Sequence, residues 1–132
     1  MSTLLGCGSR EFTDYTLLLE HTRALVVEHK ITRIIHGGAR GADTLFTRAA
    51  IELNLQLRIF PADWERYGRK GPDNAGNTRN QEMLDVGLPV AGLAFPIDRS
   101  SGTRDMIRRL RLAGLPTAIV ETKSWFPSMK PR

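Results

Sequence analysis

Ile31-Thr32-Arg33-Ile34-Ile35-His36-Gly37-Gly38-Ala39-Arg40-Gly41-Ala42-Asp43 is the stretch that decides how this chain folds. Its first part is a β-rich run. Three glycines follow. From residue 41 onward, Ala42, Leu45, Phe46, Ala49, Ala50 and Leu53 recur at helical spacing and give a helix over 41–54 one apolar face. The glycines let backbone approach another group closely, and the N–H groups at a helix start favour an anion, most often phosphate. Arg40 adds a fixed positive charge to the turn. No Lys-Ser/Thr pair follows the glycines, so the turn is not a Walker loop.

The strand-turn-helix pattern repeats outward from this stretch. Residues 3–8 read as a first strand and 14–29 as a helix, with Thr13 or Asp14 as its N-cap. Residues 31–36 are the second strand and 56–60 the third. A Pro/Gly-rich loop spans 61–75. A short helix over 77–86, a strand over 89–95, a helix over 102–113 and a strand over 116–121 complete the series. Alternating strands and helices imply right-handed βαβ crossovers. The expected fold is therefore α/β: a Rossmann-like parallel five-stranded sheet with helices on both faces and strand order 3-2-1-4-5. That order gathers the turns after strands one, two and four at the carboxyl edge, where such sheets bind ligands. Residues 1–121 are expected to form one domain, and the basic residues 122–132, with Trp125 and Phe126, a C-terminal tail or an edge element.

The bulk composition agrees with one ordinary domain. The chain has 132 residues, 41% hydrophobic and 25% charged, with a formal net charge of +5. That charge suits an anionic ligand or partner without choosing between a nucleotide and a nucleic acid. The single cysteine, Cys7, excludes an intramolecular disulfide and a Cys-based zinc site. No apolar run approaches the roughly 18 residues of a membrane span. Residues 1–6 carry no basic stretch followed by a long apolar run, so no secretory leader is expected. The expected setting is cytoplasmic, with no membrane partner.

Three turns supply candidate ligand groups. After the first strand come Gly8, Ser9 and Arg10; Gly8 permits a tight turn, while Ser9 and Arg10 can contact phosphate or ribose. A structural turn with a surface arginine fits equally, because Glu11 stands where a dinucleotide fingerprint needs a third glycine. In the second turn, Gly37, Gly38, Ala39 and Gly41 offer backbone. Asp43 either complements the helix dipole or binds a ribose hydroxyl, and Arg40 either faces the ligand or pairs with a surface carboxylate. In the third, Ser101, Gly102 and Thr103 offer hydroxyl and amide donors, or Ser101 or Thr103 simply caps the helix. The recurring Arg104, Arg108 and Arg111 read as one solvated face. Trp64 stacks on a base or pins its loop, and Arg79 with Asn80 opens a helix near the same edge. His36 reads as a strand-end residue, His21 and His29 as solvated helix positions without metal-ligand spacing, and Cys7 as a small buried strand residue. No metal or other cofactor is expected.

These motifs, in this order, resemble the YspA/YpsA-related branch of the SLOG superfamily. The resemblance rests on Gly8-Ser9-Arg10, Gly37 to Asp43, Pro61-Ala62-Asp63-Trp64, Arg79-Asn80 with Met83-Leu84, and Gly102-Thr103-Arg104-Asp105-Met106, and it covers roughly residues 3–121. It implies a Rossmann-like fold, nucleotide-derived ligands such as ADP-ribose or NAD derivatives, frequent occurrence in phages, and self-association as a homo-oligomer. Two relatives of that branch point apart. In the LONELY GUY phosphoribohydrolases, which cleave N-glycosidic bonds of nucleoside monophosphates, an arginine in an Arg-Lys-x-x-Met helix resembles Arg79. Their catalytic glutamate falls on Met106, leaving Asp105 one residue early and Glu82 as a further carboxylate. If the chain is an enzyme, the resemblance implies an N-glycosidic hydrolase with Asp105, Arg79 and Glu82 as candidate catalytic groups. The DNA-processing protein A family shares a similar Gly-Ser-Arg and Gly-x-Ala-Arg-Gly-x-Asp turn, and implies single-stranded nucleic acid as an alternative partner. The leading expectation is a nucleotide or nucleotide-derived small molecule bound at the carboxyl edge for sensing, sequestration or cleavage.

Overall fold

The computed structural model describes residues 1–122; of the expected basic tail, 122–132, Thr122 bridges to Ile97 and residues 123–132 lie outside the described residues. Five parallel strands, β1 (Thr3–Gly8), β2 (Arg33–His36), β3 (Gln56–Ile59), β4 (Ala91–Phe95) and β5 (Thr117–Ile119), form one sheet in the order β3-β2-β1-β4-β5. The helices are α1 (Tyr15–His29), α2 (Ala42–Glu52), α3 (Trp64–Tyr67), α4 (Ala75–Asp85) and α5 (Ser101–Leu112). The strand order is the one expected.

Side-chain alternation along the central strands builds two cores. Leu4, Ile34, Leu93 and Phe95 point to the face covered by α1 and α2, where Phe46 is fully buried among them. Leu5, Cys7, Ile35 and Ala94 point to the other face and meet Met83 of α4 with Met106, Ile107 and Leu110 of α5. Strand β1 lies between β2 and β4 and is covered on both faces, which explains its nearly unbroken apolar run. Consequently the chain leaves β1, β2 and β4 at adjacent points on one edge, and α2 and α5 start there.

Most element boundaries differ from the sequence reading by one or two residues, and four differences have a local cause. Residues 61–75 are not all loop: Asp63 accepts a hydrogen bond from the Arg66 amide (3.1 Å) and caps the short α3. Helix α4 starts at Ala75, because the Asn74 side chain accepts from the Asn77 amide (2.9 Å). Residues 31–32 stand before β2, where the chain is still leaving α1 through Lys30 in the left-handed region (φ 54°). Pro89, which has no amide hydrogen to donate, stands before β4. Asp14 is the N-cap of α1, accepting from the Leu17 amide at 3.1 Å. His21 and His29 are half-buried, the first edge-on to Phe95 and the second 2.7 Å from Glu28. Among the described residues no helix is long and apolar enough to cross a membrane.

Candidate functional site

A cleft of about 670 Å³ lies at the carboxyl edge, where the turns after β1, β2 and β4 meet α3 and the start of α4. That size matches small-molecule sites. Gly8, Ser9, Arg10, Gly37, Ala39, Asp43, Trp64, Arg79, Asn80, Ser101, Gly102, Thr103 and Asp105 all line it. Gly38, Arg40, Gly41 and Glu82 are not among its lining residues. The Arg40 side chain is 73% exposed, and its Nη2 lies 3.1 Å from Glu11. Glu82 is exposed on α4, since Asn80 and Met83 face inward and helical geometry turns position 82 outward.

The turn after β2 is packed closely against the rest of the protein. Three of its amides are committed within the protein. The Gly38 amide donates to His36 Nδ1 (2.9 Å), the Ala39 amide to Asp43 Oδ2 (3.0 Å) and the Ala42 amide to the Ser9 carbonyl (3.1 Å). With Nδ1 accepting, the His36 hydrogen sits on Nε2 and is donated to Thr47 Oγ1 at 2.7 Å. Gly41 has φ 76°, and a Cβ there would stand 2.4 Å from the Ser9 carbonyl oxygen. A Cβ on Gly37 would stand 2.2 Å from Arg79 Nη1. The close approach these two glycines permit is protein to protein.

Arg79 enters the cleft over Gly37. Its Nη1 donates to the carbonyls of Gly37 (2.7 Å) and Phe60 (3.4 Å), and its Nε donates to Asn80 Oδ1 (3.1 Å). It makes no ion pair, and its Nη2 has no partner among the described residues. Burial lowers its pKa, helped by the Arg10 cation and opposed by Asp43 and Cys7. Burial likewise pushes the Asp43 carboxyl up to about 6, against the Ala39 and Gly37 amides and the two guanidiniums. It lowers His36 to about 4, with Arg79 adding to the effect. The Cys7 thiol, on the cleft floor, is pushed up chiefly by burial and secondarily by Asp43.

Asn80 and Asp105 join α4 to α5. The Asn80 Nδ2 donates to the Gly102 carbonyl (3.2 Å) and to Asp105 Oδ2 (3.0 Å). Asp105 also accepts from Arg109 Nε (2.7 Å) and Arg108 Nη2 (3.0 Å). Burial would raise the Asp105 pKa, but these donors outweigh it and hold the carboxyl below its usual range.

The start of α5 is open. Neither Ser101 nor Thr103 is its cap: Ser100 holds that position, and its hydroxyl bonds back to the Ile97 carbonyl (2.6 Å) and amide (3.0 Å). No side chain caps the helix. The first amides of a helix have no intrahelical acceptor, and here those of Ser101, Gly102 and Thr103 belong to residues that line the cleft.

The sequence reading missed Arg69, Asn74 and Asn77, which also line the cleft. Asn74 carried a usable signal, an Asx residue immediately before a helix. Arg69 lies in an aperiodic stretch and carried none.

Residues 3–67 match the family model described as the YspA, cpYpsA-related SLOG family. The chain is 43% identical over 125 residues to the "Gene 61 protein" of Mycobacterium phage D29, an alignment covering 88% of this chain and 94% of that protein. No solved structure matches the chain.

Proposed function

Because the chain belongs to the YspA, cpYpsA-related SLOG family, we propose that it binds a nucleotide-derived small molecule in the carboxyl-edge cleft, of the nucleoside monophosphate or ADP-ribose/NAD-derivative class. One juxtaposition carries this reading: the uncapped amides at the start of α5 share the cleft with the open Nη2 of Arg79. A helix N-terminus and an unpaired guanidinium in one cleft suit a phosphate group. The phosphate is thereby assigned to the third turn and to α4, while the Gly37–Gly41 turn shapes the wall. Asp43 remains the candidate for a ribose hydroxyl.

The reading is binding without cleavage. Cleavage of an N-glycosidic bond needs a carboxylate free to stabilise the ribosyl centre and activate water. Both Asp105 oxygens already accept hydrogen bonds, and Glu82 does not line the cleft.

Isothermal titration with AMP, ADP-ribose and NAD tests the proposal. At least one is expected to bind, and Arg79→Gln is expected to weaken it by about tenfold or more, roughly 1.4 kcal/mol. Silence across the panel, or unchanged affinity in Arg79→Gln, removes the proposed site. Chromatography of the same mixtures should find no released base; its appearance would make the protein a hydrolase.

A further inference from the structure

We infer that Trp64 and Arg69 form a clamp for a planar aromatic base, so that the cleft selects base-bearing ligands over plain sugar phosphates. This inference rests on the cleft being the ligand site proposed above.

Trp64 opens α3 and lines the cleft. Its ring is half-buried: one edge packs towards α4, where a Cβ on Gly76 would stand 3.6 Å from Cη2. Its indole N–H has no hydrogen-bond partner among the described residues. Pinning the loop therefore uses only part of this side chain. Arg69, which also lines the cleft, places its guanidinium carbon 4.6 Å from the centre of the Trp64 ring. Arg69 is exposed and makes no hydrogen bond or ion pair among the described residues. A cation held only by an exposed ring is held weakly.

These two groups are the two leaves of a stack. A base between them needs roughly 7 Å, two stacking separations of about 3.5 Å. Arg69 must then move outward by about 2–3 Å, and no other bond has to break. The inserted base keeps an aromatic face on one side and a planar cation on the other, both favourable for any base. Asn77 lines the same cleft. Its Nδ2 donates to the Pro72 carbonyl (3.2 Å), and its Oδ1 has no partner among the described residues. That oxygen can accept from an exocyclic amine. Adenine carries such an amine, and ribose 5-phosphate carries neither amine nor ring.

The test compares AMP with ribose 5-phosphate on the full chain. The sequence holds two tryptophans, so in a Trp125→Phe background Trp64 is the only indole. AMP is expected to quench its fluorescence, and ribose 5-phosphate to bind without quenching. By calorimetry, Trp64→Ala should weaken AMP at least tenfold and Arg69→Ala about threefold, both leaving ribose 5-phosphate unchanged. Trp64→Phe, which keeps a stacking face, should restore most of the AMP affinity. Arg69→Ala and the quenching experiment decide the matter if Trp64→Ala fails to fold. The clamp is overturned if wild type binds both ligands and the variants weaken both equally or neither. Failure of wild type to bind either ligand would instead overturn the proposed site, and the clamp with it.

Discussion

Asp43 and His36 are buried titratable groups whose pKa values the fold moves in opposite directions. His36 is lowered to about 4, so the unfolded chain takes up a proton below pH 6.5 that the folded chain refuses. Stability from this group falls as pH drops from about 6.5 to 4, by about 3 kcal/mol in all. Asp43 is raised to about 6, so the folded chain holds a proton that the unfolded chain releases above its ordinary value of 3.8. Stability from this group rises as pH drops from about 6 to 4, by a similar amount. In wild type the two nearly cancel across that window. Asp43→Asn keeps an acceptor for the Ala39 amide and removes one side of the balance. Urea unfolding between pH 4 and 7 should then show the variant losing about 3 kcal/mol relative to wild type on acidification. Parallel profiles would refute the opposition. At this scale the sequence was partly legible: Arg79, Asn80 and Asp43 were identifiable from their motifs. The internal commitment of the second turn was not, because nothing in Gly37–Asp43 states that Ser9 and His36 will take its amides.

Helix α5 is the element on which the phosphate assignment depends. Its periodicity, with Met106, Ile107 and Leu110 buried together, made it readable. Its open N-terminus was not readable, since Ser101 and Thr103 both resemble caps in sequence. The distinction lies in one hydroxyl, that of Ser100, which bonds to Ile97. Ser101→Pro isolates the element's contribution. Proline is accommodated at the first helical position, where it removes an N–H without breaking an intrahelical bond. Ser100 has ψ 83°, outside the helical region disfavoured before proline. The variant should keep its thermal stability within a degree or two and bind AMP about five- to tenfold more weakly by calorimetry. Undiminished affinity in a folded Ser101→Pro protein would move the phosphate away from α5. Helix α4 carries the converse lesson. Its start was misplaced because Pro72, Gly71 and Gly76 hide the Asn74 cap inside what composition alone describes as loop.

The molecule as a whole brings these elements together because β1 is central. Its apolar, doubly covered run was legible, and so were the strand order and the convergence of three turns at one edge. The identity of the partner is a question for the same scale, since a net charge of +5 suits a nucleic acid as well as a nucleotide. The distribution of that charge favours the nucleotide. Of the arginines on α5, Arg104 pairs with Glu121 and Arg108 with Asp105. The cleft itself carries both signs, with Arg10, Arg69 and Arg79 against Glu11, Asp43 and Asp105. A single-strand groove instead tracks a backbone with successive cations and stacks successive bases on interleaved aromatics. Among the described residues the accessible rings on this edge are gathered on α3, at Trp64 and Tyr67, enough for one base and not for a run of them. AMP affinity should therefore change only several-fold between about 50 and 200 mM salt, and an oligothymidylate of about twelve nucleotides should bind no more tightly than AMP. A partner contacting several phosphates would instead lose affinity with a log–log slope of about 0.7 per phosphate. A slope of three or more for the oligonucleotide, with binding tighter than that of AMP, would transfer the cleft to single-stranded nucleic acid.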